Sequence, residues 1–243
     1  MASIIRLHCG ENLCSGALIA MDRARAHYLA HVMRRAEGDT LLLFNGRDGE
    51  FQAVIGRLER AAVTLTLGAQ TRAPEAEPDG WLCFAPIKRD ASEWVVEKAT
   101  ELGIAVIQPV ITARTQPHRV NPERWAAIAT EAAEQSERLS VPELRAPLPF
   151  ATLLRDWPAG RILFAATERV AAPGLELPAE RAQGWGLLIG PEGGFAPLEL
   201  DDLAKHPFVT KISLGPRILR AETAAIAGLA RLLAVPPESL TGV

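Results

Sequence analysis

Apolar and polar residues alternate in short runs over the first third of the chain. "TLLLFNG" from Thr40, "EFQAVIG" from Glu50 and "AVTLTLG" from Ala62 each read as a half-buried strand closed by glycine. Asn45-Gly46 and Asp48-Gly49 are turn dipeptides between two of these strands. A helical stretch lies near Ala24 to Arg35. The polar segment "TRAPEAEPDG", Thr71 to Gly80, contains two prolines and ends in glycine, the texture of a linker. The pattern predicts a small β-rich barrel or sheet over residues 1-73, a linker at 74-80 and a second domain over 81-243.

After the linker the texture changes. The runs "WLCFAP", "IAVIQPV", "RILFAA", "WGLLIG" and "VTKISLG" are separated by helical stretches. A helix is predicted from Ala91 to Leu102, with Asp90 as N-cap, Glu93 three residues on and Gly103 past its end. Ala91, Val95, Ala99 and Leu102 form its apolar face. The next helix takes Asn121 as cap and Pro122 as its first residue, and runs to about Leu139. Strands alternating with helices predict an α/β domain built on a parallel sheet covered on both faces.

Charge and cysteine content narrow the class. The net charge of -3 carries no global basic field, but residues 1-73 hold nine Lys/Arg against seven Asp/Glu, leaving 17 against 22 beyond them. A nucleic-acid surface would therefore be a local patch. Cys9, Cys14 and Cys83 match no metal spacing, and His27 lacks the neighbouring glutamate of a zincin motif, so no metal site is expected. No apolar run is long enough to cross a bilayer and "MASIIRLHCG" does not resemble a signal peptide, so the expectation is a cytoplasmic protein.

The chemistry concentrates where strands end. Open parallel sheets place ligands beyond the carboxyl ends of their strands. Two such ends are marked by Gly190, in "LLIGPEGGF", and Gly215, in "SLGPRILRAETAAIAGLARLLA". The first loop is neither a dinucleotide fingerprint nor a P-loop, and it carries Glu192, so it favours a neutral or cationic ligand over a polyphosphate. In the second, Glu222 suits the first turn of a helix. That leaves Arg217 and Arg220 without a structural reason at a strand end.

"IGPEGGF" followed by "LGPRILRAETA" closely resembles the ribosomal RNA small subunit methyltransferase E family of the SPOUT superfamily. The likeness extends through "HYLAHVMRRAEGD", "LFNGRDGEF", "KRDASEWVVEKATELGI" and "RWAAIATEAAEQSERLSVP". The resemblance implies a PUA-like β-barrel before a SPOUT α/β domain with a C-terminal trefoil knot. It implies transfer of a methyl group from S-adenosylmethionine to N3 of a uridine in 16S rRNA of the small ribosomal subunit. By the same resemblance Thr167, Glu168, Ile189, Gly190, Pro191, Glu192, Gly193, Gly194, Leu214, Gly215, Ile218, Leu219 and Thr223 would bind the cofactor. A sulfonium would answer the question of a neutral or cationic ligand.

Uridine N3 must lose a proton, and the anion needs stabilising as it attacks. Arg217 or Arg220 would supply the cation, and Glu222 or solvent would take the proton. An RNA-binding patch is expected from Lys88, Arg89, Arg114, His118 and Arg119, with Arg34 and Arg35 from the barrel. The family also implies a homodimer, and Ala224 to Ala234 is apolar on more than one face, as a helix buried against its own sheet and a partner would be. Ala196, Pro207 and "SERL" depart from the family pattern, where serine, glycine and "SGR" are commoner, which leaves the role of Gln135 to Arg138 open. Two other readings are a non-catalytic RNA-binding or assembly factor on this fold, and a knotted methyltransferase for another base or a ribose hydroxyl.

Overall fold

The early alternation becomes a five-stranded sheet. The computed structural model describes residues 4–116, 120–167 and 184–234. It divides the chain into two units, Met1–Ala76 with Ala133–Val141, and Glu77–Ala132 with Pro142–Val243. In the first, β1 (Arg6–His8), β2 (Leu18–Met21), β3 (Thr40–Asn45), β4 (Gly49–Leu58) and β5 (Val63–Arg72) lie in the order β1-β3-β4-β5-β2. All neighbours are antiparallel except β1 with β3. Along β4, Phe51, Ala53 and Ile55 are buried while Gln52 and Val54 face solvent. That period of two puts one face on a core shared with Leu7, Leu29, Leu43 and Leu65.

The β3–β4 turn is built by side chains. Asn45 Oδ1 accepts the amides of Arg47 (3.1 Å) and Asp48 (2.6 Å), and Asp48 Oδ2 accepts that of Leu13 (2.9 Å). Of the two glycines read as turn markers, only Gly49 has a positive φ, at 89°, and a Cβ there would collide with the Arg72 carbonyl. The helix expected over 24–35 is shorter and irregular. α1 (Arg23–His27) is capped by Asp22, whose carboxylate accepts the Arg25 amide at 3.0 Å. It widens into a π turn over Tyr28–Val32, and the left-handed φ of 52° at Arg34 ends it.

Arg6 organises the rest of this unit. Its guanidinium is buried, pairs with Glu50 at 2.7 Å, and lies 4.3 Å over the Phe44 ring. It also donates to the carbonyls of Ala133 (3.3 Å), Glu134 (3.1 Å) and Arg138 (3.2 Å). The first two are orphan acceptors at the end of a helix, where a cation is favoured. Thr71 completes the cluster by donating to Glu50 Oε1 at 2.9 Å.

The second unit alternates strand and helix. β6 (Gly80–Phe84), α2 (Arg89–Glu101), β7 (Val106–Ile111), α3 (Pro122–Gln135), β8 (Glu143–Leu144), β9 (Leu148–Pro149) and α4 (Phe150–Arg155) come first. Then come β10 (Ile162–Ala166), β11 (Trp185–Ile189), α5 (Pro197–Lys205), β12 (Val209–Ile212) and α6 (Ala221–Leu233). The sheet order is β12-β10-β11-β6-β7-β8, with β9 also beside β7, and every pairing is parallel. All five residues of β11 are buried, the continuous apolar run a sheet covered on both faces requires. On one face Leu188 joins Phe150, Trp157, Phe195 and Leu203. On the other α6 closes down at Gly228, where a Cβ would stand 2.7 Å from Leu187.

Two helix boundaries differ from expectation. α2 begins at Arg89, so Asp90 falls in its first turn and is not the cap. Ser92 Oγ accepts the Ile87 amide (3.0 Å) and donates to the Ile87 carbonyl (3.1 Å), holding the entry without a capping carboxylate. Gly103 follows the helix with φ 85°, as its position there implies. α3 has Asn121 accepting the Arg124 amide at 3.1 Å, but stops at Gln135. Glu137 turns the chain with φ 63°, and Arg6 takes the carbonyls that a further turn would have used.

Candidate functional site

Three neighbouring strands, β10, β11 and β12, end on one side of the second unit, and the end of β10 with the loops that leave β11 and β12 lines a cavity of about 750 Å³. β11 runs into Gly190–Phe195 and β12 into Ser213–Arg220. The first loop doubles back at once, with the Gly194 amide donating to the Pro191 carbonyl at 2.8 Å and Gly194 at φ 66°. Phe195 is buried and packs under Gly190, where a Cβ would sit 3.2 Å from its ring. The second loop turns at Gly215, whose φ of 126° excludes an ordinary side chain. Ser213 bridges that turn through its hydroxyl, 3.3 Å from the Gly215 amide.

Of the residues expected to bind cofactor, Thr167, Ile189 to Gly194, Leu214, Gly215, Ile218 and Leu219 all line this cavity. Thr223 does not, and Glu168 lies outside the described residues. The Thr167 hydroxyl is buried with no hydrogen-bond partner among the described residues. Such a group costs free energy unless a ligand or water satisfies it. Ile218 is 61% exposed on the wall. An apolar side chain held open beside a main-chain cradle suits a flat or aliphatic ligand part.

The charged residues separate. Arg217 lines the cavity, whereas Arg220 is the N-cap of α6 and Glu222 stands in its first turn, both outside the wall. No ion pair joins Arg220 to Glu222 among the described residues. Arg114, expected in an RNA patch, lies in the cavity wall, its Nη1 donating to the Gly193 carbonyl at 2.7 Å. Arg231 is also in the wall, 3.3 Å from the Ser213 carbonyl. Sequence reading missed it because the residues it meets are a full helix away, and no local spacing marks it. Among the described residues, three arginines thus line the cavity against the single carboxylate of Glu192.

The remaining candidates for RNA differ in exposure and in partners. Lys88 and Arg34 are exposed, Arg35 is partly buried, and Arg89 is tied to Glu93 at 2.9 Å. His118 and Arg119 lie outside the described residues.

Residues 75–233 match the model of an RNA methyltransferase domain, and residues 22–67 that of an RNA methyltransferase PUA domain. The ribosomal RNA small subunit methyltransferase E of Rickettsia conorii is 36% identical over 231 residues, covering 93% of this chain and 94% of the relative. A methyltransferase from Legionella pneumophila, solved with S-adenosylmethionine bound, superposes with a TM-score of 0.86 at 31% identity, over 96% of this chain and 98% of that one. The ribosomal RNA small subunit methyltransferase E of Neisseria gonorrhoeae, also bound to S-adenosylmethionine, gives 0.84 at 26% identity, over 95% and 97%.

Proposed function

The chain belongs to the ribosomal RNA small subunit methyltransferase E family, and from that membership we propose that it methylates N3 of a uridine in 16S rRNA. The observation that carries the cofactor reading is a cavity walled by the main chain of two glycine turns, with the buried Thr167 hydroxyl unpaired among the described residues. Those residues fit S-adenosylmethionine. Loop amides and carbonyls of 190–194 and 214–219 would hold the adenosine and methionine parts, and Glu192 would stand near the positive sulfur. When bound, the cofactor supplies a methyl carbon made electrophilic by its sulfonium.

The protein supplies position and charge. Arg217, in the wall, would stabilise the anion left when N3 loses its proton, in a site where water is partly excluded. Glu222 lies outside the wall, so solvent at the cavity mouth is the proton acceptor this geometry favours. Lys88 and Arg34, both exposed, support RNA phosphate contacts. Family membership supports a trefoil knot around the two cofactor loops, a homodimer, and a cytoplasmic setting beside the ribosome.

Mass spectrometry of rRNA from a strain lacking this protein is expected to show loss of one N3-methyluridine; its persistence would overturn the assignment. At saturating substrates, Arg217→Ala is expected to lower the single-turnover rate about a hundredfold or more while leaving cofactor affinity near wild type. Arg220→Ala, outside the wall, should cost less. Equal rates for Arg217→Ala and wild type would remove Arg217 from the reaction.

A further inference from the structure

The loop after β11 is held by a turn from a strand that is not its neighbour. In the sheet β6 stands between β11 and β7, yet the turn that follows β7, Thr112 to Thr115, is tied to the loop at several points. Glu199, in the first turn of α5 and 8% exposed, divides its carboxylate between two backbone amides. Oε1 accepts from Ala113 and Oε2 from Ala196, each at 2.8 Å. Arg114 Nη1 donates to the Gly193 carbonyl at 2.7 Å and reaches the Phe195 carbonyl at 3.4 Å.

The turn itself is locked. The Thr112 amide donates to Thr115 Oγ1 at 2.8 Å, the two hydroxyls are 2.8 Å apart, and the Thr115 amide donates to the Thr112 carbonyl at 3.1 Å. A turn closed on itself is a fixed point, so what it grips is fixed too. What it grips is the stretch Gly193 to Ala196, whose first members line the cavity.

We propose that Glu199 and Arg114 are positioning residues for the cofactor loop, setting the main-chain groups of Gly190 to Gly194 in binding geometry before the cofactor arrives. The inference rests on the cofactor reading of this cavity. Its physical content is preorganisation: a loop with glycines at 190, 193 and 194 samples many conformations, and each restraint from outside reduces the ordering that binding must supply. Glu199 is suited to the task because charge-assisted hydrogen bonds to backbone amides are among the stronger ones, and one carboxylate joins two segments. Arg114 then acts through the loop it holds, not through an RNA phosphate.

The test is calorimetry with S-adenosylmethionine, together with steady-state kinetics, on wild type, Glu199→Gln, Arg114→Ala and Arg114→Lys. Glutamine keeps the size of Glu199 but has one acceptor oxygen, so one of the two amides loses its partner. Glu199→Gln and Arg114→Ala are each expected to weaken cofactor binding about tenfold and to raise its KM alike. With cofactor saturating, kcat and the KM for RNA should stay near wild type. Arg114→Lys should recover part of the loss, and Lys205→Ala, on the same helix with its ammonium on exposed Asp202, should change nothing. Folding is checked by circular dichroism; should Glu199→Gln not fold, Arg114→Ala decides. Wild-type cofactor affinity in the folded variants overturns the proposal, as does a rise in RNA KM with cofactor KM unmoved. A wild-type protein that binds no S-adenosylmethionine overturns the functional reading instead.

Discussion

Arg6 and Glu50 show how much one buried pair can carry. The pair is shielded from water, and Arg6 also closes three carbonyls at the end of α3 and beyond it. Replacing one partner leaves the other charge buried and uncompensated, so Arg6→Met is expected to destabilise by about 3–5 kcal/mol in urea unfolding. Arg6→Met with Glu50→Gln should recover part of this, because the stranded charge is gone. Asp48 behaves differently, since it is solvent-accessible. The Arg47 side chain beside it, then the Leu13 amide and the Asn45 side chain, hold its carboxyl down to about 2. The depressed value means its contribution to folding is present above the ordinary carboxylate range and fades as pH falls from about 4 through 2. An NMR titration should place Asp48 there, and Arg47→Ala should move it up towards the usual range; an unmoved midpoint would assign the shift to the turn amides alone.

At the scale of elements, the end of α3 departs most from the sequence pattern. Helical spacing alone carries the prediction to Leu139, and the family departure at "SERL" left the stretch without a role. Within that stretch Glu137 has a left-handed φ of 63°. A left-handed glutamate costs about 1–2 kcal/mol in backbone strain, partly offset by the extra freedom glycine would have when unfolded. Glu137→Gly should therefore stabilise the protein by about 0.5 kcal/mol, read as a higher denaturation midpoint at constant slope. Loss of stability would show that the exposed Glu137 side chain has a hidden contact. The start of α5 teaches the opposite lesson. No side chain caps α5 from Ala196, but Glu199 reaches back to accept the Ala196 amide, the other half of a capping box.

For the whole molecule the open matter is pairing. α6 buries Ala221, Ala225, Gly228, Leu229 and Leu232, while Ala224, Ile226 and Ala227 are only partly covered. The first set satisfies the helix's own sheet; the second is apolar surface suited to a second copy. Light scattering at micromolar concentration should give about twice the chain mass of 26.2 kDa. A value at the chain mass would refute the dimer.

The parallel sheet and the two glycine loops were legible because their cause is local. An apolar run of five residues that needs cover on both faces reads the same in sequence as in β11, and glycines at strand ends announce sharp turns wherever they occur. Family motifs then named the ligand. What the tertiary structure decided depends on residues far apart in the chain. Arg217 lies in the cavity wall and Arg220 does not, though both come from one loop. Arg231 joins the wall from the last turn of α6. Arg114 meets the Gly193 carbonyl, and Glu199 spans Ala113 and Ala196. Arg6 holds the chain after α3 to the first unit. A buried charge or carboxylate takes whichever partner the packing brings within 3 Å or so, and sequence spacing carries no record of that choice.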